Sequence, residues 1–283
     1  MLYKKNSTPS LNDELFKNPT SEYRGTPFWA WNNMLTAEEL QRQIDVFKEM
    51  GLGGFHMHVR TGLKNKYLSD EYMELVKTCV EKAKKEDMLA WLYDEDRWPS
   101  GAAGGLVTCD EKYRARSLLF TTKLNAAAYR IGDKSRSEAS RSENGTLLAC
   151  YDVVLDKDGY LESYKRIDKD DEAEGTKWYA LLEIYSNNSW HNDQTYVDTL
   201  NKEAIERFIE VTHKKYAEKV GYEFDKTVPA IFTDEPQFTR KQVFENSFDK
   251  EDVFMPWTNK LPELYEKAYG ADIFETRPEI FWD

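Results

Sequence analysis

The sequence is poor in cysteine, in net positive charge and in long apolar runs. Its 3 cysteines, Cys79, Cys109 and Cys150, are odd in number and widely spaced, so they form neither a disulfide framework nor zinc-type pairs. Lys and Arg total 39 against 51 Asp and Glu, a net charge of −12. Binding a phosphate backbone needs a basic face, so nucleic acid is excluded as the main partner. No window approaches the ~18 apolar residues of a membrane helix. The N-terminal stretch MLYKKNSTPSLNDELFKNP lacks the apolar core of a secretory signal. A cytoplasmic protein without a membrane partner is the expectation. No internal repeat is evident.

Aromatic residues, by contrast, are plentiful at 14%, including 8 Trp and 17 Tyr. Flat rings line sugar grooves, and they also fill large cores. Residues 1–24 read as a polar lead-in. TPFWAWN (26–32), GGFHMHV (53–59) and MLAWLYD (88–94) read as strands. Between them lie two helical patterns. TAEELQRQIDVFKEMG has Thr36 as N-cap and Glu39 in a capping box, and SDEYMELVKTCVEKAKKED has Ser69 as N-cap. Strand–helix alternation marks a parallel α/β fold, whose strands are buried on both faces. Residues 25–116 form this first part. Hairpin signals, above all DKDG (156–159), then place an inserted antiparallel β-module over 117–197, with a polar turn at 132–145. The α/β rhythm resumes over 198–283, with TVPAIFTDE (227–235) as a fourth parallel strand and PWTNKLPELYEKAYGADIFET (256–276) as helical pieces.

Ligands of parallel α/β folds meet the carboxyl ends of the strands. Here those ends read WAWN, HMHVR, YDEDRWPSG and TDEP, so polar and ionisable groups crowd one end of the sheet. The candidates are Trp31, Asn32, His56, His58, Arg60, Asp94, Glu95, Asp96, Arg97, Trp98, Asp234 and Glu235. Neighbouring strand residues point to opposite sides, so of Asp234 and Glu235 one enters the site and the other supports it. Pro236 has no N–H for the ladder and marks the strand end. By the same alternation Asp94 and Asp96 share one face and Glu95 takes the other, with Arg97 as a partner for one of them. Such an acidic run suits a divalent cation or sugar hydroxyls, and equally a surface loop held by an Arg–Asp pair. His56 and His58 share a face and fit substrate hydrogen bonding, a metal, or a structural role. Trp98 is the stacking candidate. Trp29, Trp31 and Trp91 read first as core, with Trp31 also at the rim because it closes strand one. His191 and His213 read as structural.

TPFWAWNNMLTAEELQRQIDVFKEMGLGGFHMHVRTGL, LAWLYDEDRWPSGAAGG and VPAIFTDEPQF, in that order, resemble the N-terminal catalytic region of bacterial family 106 glycoside hydrolases, the α-L-rhamnosidase type. The resemblance covers residues ~20–110 and ~198–283. It implies a (β/α)8 barrel, inversion at the anomeric carbon, a glycoside or oligosaccharide substrate and a Ca2+ ion near the site. The DEP segment is similar to the NEP of barrel glycosidases, which makes Glu235 the general acid and Asp234 its support. By the family pattern the base comes from a later strand. Four strand–helix units are visible where such a barrel has eight, so an incomplete chain is the expectation. Two other readings stay open: a non-catalytic carbohydrate-binding half-barrel, and a metal-dependent hydrolase acting through His56, His58 and the Asp94–Asp96 cluster.

Overall fold

The computed structural model describes residues 10, 12–127, 129–130, 140–143 and 145–282. Most of the polar turn expected at 132–145, and the first part of the lead-in, lie outside the described residues. In chain order the elements are α1 (Asp13–Lys17), β1 (Phe28–Trp31), α2 (Ala37–Glu49), β2 (Gly54–Val59), α3 (Asp70–Lys85) and β3 (Leu89–Tyr93). Then come β4 (Arg116–Thr121), β5 (Tyr129–Arg130), β6 (Ser140–Arg141), β7 (Thr146–Leu155), β8 (Leu161–Ile167) and β9 (Thr176–Ile184). The chain continues through α4 (Lys202–Ile209), a π-helical turn (Glu210–Lys214), α5 (Lys215–Val220), β10 (Ile231–Phe232), β11 (Val253–Trp257) and α6 (Leu261–Tyr269). It divides into two compact units, Met1–Val107 with Glu206–Pro236, and Thr108–Ile205 with Gln237–Asp283.

The first unit is built on a four-stranded sheet in the order β1-β2-β3-β10, with every pair parallel. Gly54 lets β2 lie close to β3, because a Cβ there would sit 2.2 Å from the Leu89 carbonyl oxygen. Thr36 Oγ1 accepts the Glu39 N–H at 3.3 Å and starts α2. The Glu39 carboxylate binds Arg42 and Gln43 instead of reaching back to the cap. Ser69 caps α3 by accepting the Tyr72 N–H at 3.2 Å.

Side chains alternate across these strands, and the two faces differ. Trp29, Trp31, Phe55, Met57, Val59, Ala90 and Leu92 form one core with the apolar stripes of α2, α3 and α5. The other face carries Phe28, Ala30, His56, His58, Trp91, Tyr93 and Phe232. Phe28 is 56% exposed, Ala30 is exposed, and His56, Trp91 and Phe232 are half-buried. This corrects the expectation of burial on both faces: within this unit only one face is covered by helices. The second face is aromatic and unevenly covered: His58 and Tyr93 are buried within it, whereas Phe28 and Ala30 are exposed.

The fourth strand is shorter than expected. The carbonyls of Thr227 and Ala230 accept from Ala90 and Leu92 at 2.9 and 3.1 Å, but regular pairing holds only for Ile231 and Phe232.

The second unit holds a five-stranded antiparallel sheet in the order β11-β4-β9-β7-β8. The DKDG turn joins β7 to β8, with Gly159 at φ +90. Phe120 stacks on Trp178 at 4.9 Å and on Phe281 at 4.5 Å in its core. Two expectations are corrected here. Pro256 and Trp257 belong to a strand, not to helical pieces, and Val253–Trp257 pairs with β4. The β-module also exceeds 117–197, since Gln237–Asp283 joins it rather than continuing the parallel sheet. Pro256 masked this strand in the sequence. It is tolerated because β11 is an edge strand, where a missing N–H costs no ladder bond.

Candidate active site

The chain leaves β10 at Phe232, well before Pro236, so the proline does not define the strand end. Thr233, Asp234 and Glu235 follow. Glu235 has φ +42, the left-handed region that few non-glycine residues adopt. Asp234 and Glu235 do diverge, but through this turn rather than through the strand pleat. Glu235 is exposed and accepts a hydrogen bond from Trp98 Nε1 at 3.0 Å. Asp234 is half-buried. Its Oδ2 accepts from the Tyr93 hydroxyl at 3.0 Å and lies 3.9 Å from His58 Nε2. Burial raises the Asp234 pKa, the Tyr93 hydroxyl pulls it down, and the neighbouring Glu235 charge raises it again.

The acidic run after β3 is turned inward. Asp94 is fully buried; Ser100 Oγ donates to its Oδ1 and Thr233 Oγ1 to its Oδ2, each at 2.6 Å, and His213 Nε2 lies 3.4 Å from Oδ2. Asp96 is 6% exposed, with Arg97 Nε 3.4 Å from its carboxylate. Glu95 is 1% exposed and accepts five backbone N–H bonds from its own loop. Burial pushes its pKa up to about 7, against the pull of those donors. The expected alternation of faces therefore fails. The strand ends at Tyr93, so its pleat does not extend to residues 94–96, and the loop folds back over all three. Asp94 and Glu95 have their oxygens engaged by this chain.

Ser100 ties the two loops together. It donates its N–H to the Asp234 carbonyl at 2.8 Å, accepts the Asp234 N–H on Oγ at 2.9 Å, and donates that hydroxyl to Asp94.

On the open face Phe28 meets the rings of both His56 and His58 edge-on, at 5.1 and 4.5 Å. His56 Nδ1 lies 3.2 Å from the Thr26 carbonyl oxygen, and its ring stacks on Trp91 at 4.9 Å. Burial lowers its pKa. His58 is 4% exposed against Tyr93, and burial, aided by the charges of Arg60 and His56, pushes its pKa down to about 4. Burial thus favours the neutral form of both rings. His58 Nδ1 has no hydrogen-bond partner among the described residues. Arg60 is exposed, with Nη1 3.5 Å from His58 Nε2, and Asn32 is exposed. Among the described residues no three His, Cys, Asp or Glu side chains gather as a metal site.

Trp31 is a correction. It is fully buried on the helical face, edge-on to Trp29 and Tyr72 at 5.7 and 5.6 Å, and makes no rim. Sequence reasoning also missed Tyr93, Ser100, Thr233, Tyr216 and the place of His213. Tyr216 donates its hydroxyl to the Tyr93 carbonyl at 2.9 Å. His213 reaches Asp94 from the π-helical turn. A wider turn shifts the helical register, which a 3.6-residue reading does not anticipate. The hydroxyls carried no signal, because Ser and Thr are ordinary loop residues.

No protein-family profile matches the chain, and no curated protein matches it. Among solved structures, the rhamnosidase from Novosphingobium sp. PP1Y is similar over 96% of this chain, at 10% identity and a TM-score of 0.49. The chain spans 42% of the length of that protein.

Proposed function

We propose that this chain carries part of a glycoside hydrolase site of the α-L-rhamnosidase type, on the first βα units of a (β/α)8 barrel, with Glu235 as general acid. The observation that carries the reading is the placement of Glu235. It is an exposed carboxylate held by an indole N–H, at the carboxyl end of a parallel sheet with an open aromatic face. Sugar rings pack their C–H faces on aromatic rings, and Phe28, Trp91 and Phe232 offer such surfaces. Arg60 and Asn32 offer exposed donors to hydroxyls.

In this reading Glu235 gives its proton to the leaving glycosidic oxygen as the bond to the anomeric carbon breaks. Water attacks that carbon from the opposite side and loses its proton to a second carboxylate ~6.5–9.5 Å away, as inversion requires. The burial of Asp94 and Asp96 counts against either of them as that base. The sequence resemblance assigns it to a later strand. Asp234 supports the acid through its charge. Calcium, also implied by the resemblance, does not fit the Asp94–Asp96 cluster, because the oxygens of Asp94 and Glu95 already accept donors from the chain. The same occupancy disfavours a metal hydrolase through His56 and His58.

The test is Glu235→Gln on an aryl α-L-rhamnoside. Turnover is expected to fall by about 10²–10⁴-fold while sugar binding survives. Unchanged turnover removes Glu235 from the acid role. The burial of Asp94 and Asp96 favours one second reading, a carbohydrate-binding half-barrel without turnover. Calorimetric titration with rhamnose decides it: heat of binding with no hydrolysis in any variant supports it, and no heat rejects it.

A further inference from the structure

We propose that Glu95 is a positioning residue of this site: a buried carboxylate that clamps the loop from Asp96 to Gly104 and, through that loop, sets the contact between Trp98 and Glu235. The clamp stands on geometry alone; its effect on turnover rests on the glycosidase reading above.

Glu95 Oε1 accepts from the backbone N–H of Asp96 at 2.8 Å and of Gly104 at 2.6 Å. Its Oε2 accepts from Gly101, Ala102 and Ala103 at 2.9, 2.9 and 2.8 Å. Five donors take up all of the about four lone-pair sites of an ionised carboxylate, and they favour that form against the opposing effect of burial. The loop brings these donors together through left-handed backbone at Ala103 and Gly104, with φ of +50 and +62. Consecutive N–H groups turned to one point make a concave anion site. Here the anion is the protein's own side chain. Without it, buried N–H groups would lack acceptors, and such a loop would not hold one conformation.

The clamped loop carries two residues that act elsewhere. Trp98 donates to Glu235, and Ser100 bridges Asp94 and the backbone of Asp234. Both precede the four amides at Gly101–Gly104 that Glu95 holds. A loose clamp would therefore displace the indole from Glu235 while leaving the helical core intact. Small misplacements of a positioning contact cost up to about 10²-fold in rate.

The experiment uses the full chain and nuclear magnetic resonance. In the wild type the amides of Gly101, Ala102, Ala103 and Gly104 are expected to exchange slowly as a group. Exchange at free-peptide rates overturns the clamp, and needs no variant to fold. In Glu95→Gln one acceptor oxygen is replaced by a donor. The Trp98 indole N–H resonance is expected to shift in both Glu95→Gln and Glu235→Gln. An unmoved resonance overturns the link to Glu235, whether or not the protein turns over a sugar. On an aryl α-L-rhamnoside, Glu95→Gln is expected to lower kcat about tenfold or more with KM within about threefold. Adding Trp98→Phe is expected to lower it little further, because both changes break one contact. Fully additive losses overturn the positioning role. Protected amides and a shifted indole with no turnover in the wild type uphold the clamp and favour the carbohydrate-binding reading without turnover instead.

Discussion

Trp98 and Glu235 stand 137 positions apart in the chain, and their side chains meet through a 3.0 Å hydrogen bond from Nε1 to Oε2. The bond joins the loop after β3 to the loop after β10, and it holds an exposed carboxylate in one place. Trp98→Phe keeps a ring and deletes the donor. A hydrogen bond of this kind contributes about 0.5–1.5 kcal/mol, so kcat on an aryl α-L-rhamnoside is expected to fall by up to about tenfold, with KM within about threefold. A rise in KM at constant kcat would instead make Trp98 a stacking surface for the sugar.

Ser100 offers a test of the buried network. Ser100→Ala leaves the buried Asp94 without one donor and the part-buried Asp234 N–H without its acceptor. The expected cost is about 2–3 kcal/mol, seen as a lower urea midpoint at constant slope. A midpoint unchanged from wild type would show that the two loops do not depend on this hydroxyl.

His58 predicts acid sensitivity. Its folded pKa of about 4 lies below the ordinary 6.5, so the unfolded chain binds the proton more readily. The resulting stability is fully present above pH 6.5 and is lost as pH falls towards 4, by on the order of 2–3 kcal/mol. Asp234, whose pKa is raised, contributes in the opposite sense, its share being lost as pH rises. Comparing urea midpoints at pH 7 and 4.5 for wild type and His58→Leu isolates the histidine. An equal drop in both proteins would assign the acid sensitivity to other groups.

A chelator tests the acidic cluster. Because Asp94 and Glu95 are engaged by their own chain, Tm in excess EDTA and in millimolar calcium is expected to agree within about 1 °C. A clear calcium-dependent rise in Tm would mean that these carboxylates turn outward to bind the ion.

Local pattern revealed most of the first unit. Thr36 and Ser69 marked the starts of α2 and α3, and the period of Leu40 and Ile44 marked the buried stripe. These features depend on residues a few positions apart, so a linear reading finds them. The strand-end clustering of Asp94, Asp234 and Glu235 was visible for the same reason. The fate of each carboxylate was not visible. Alternation holds only while a strand lasts, and β3 stops at Tyr93 and β10 at Phe232.

Composition and periodicity by themselves determined that this chain builds parallel βα units with charged strand ends. Only the tertiary structure decided that Trp31 is core, that Glu95 serves its own loop, that His213 reaches Asp94, and that Val253–Trp257 joins the antiparallel sheet. The physical reason is the range of the forces involved. Helix caps and apolar periods are settled by neighbours along the chain, whereas the burial of a charge is settled by whichever donors distant segments bring to it.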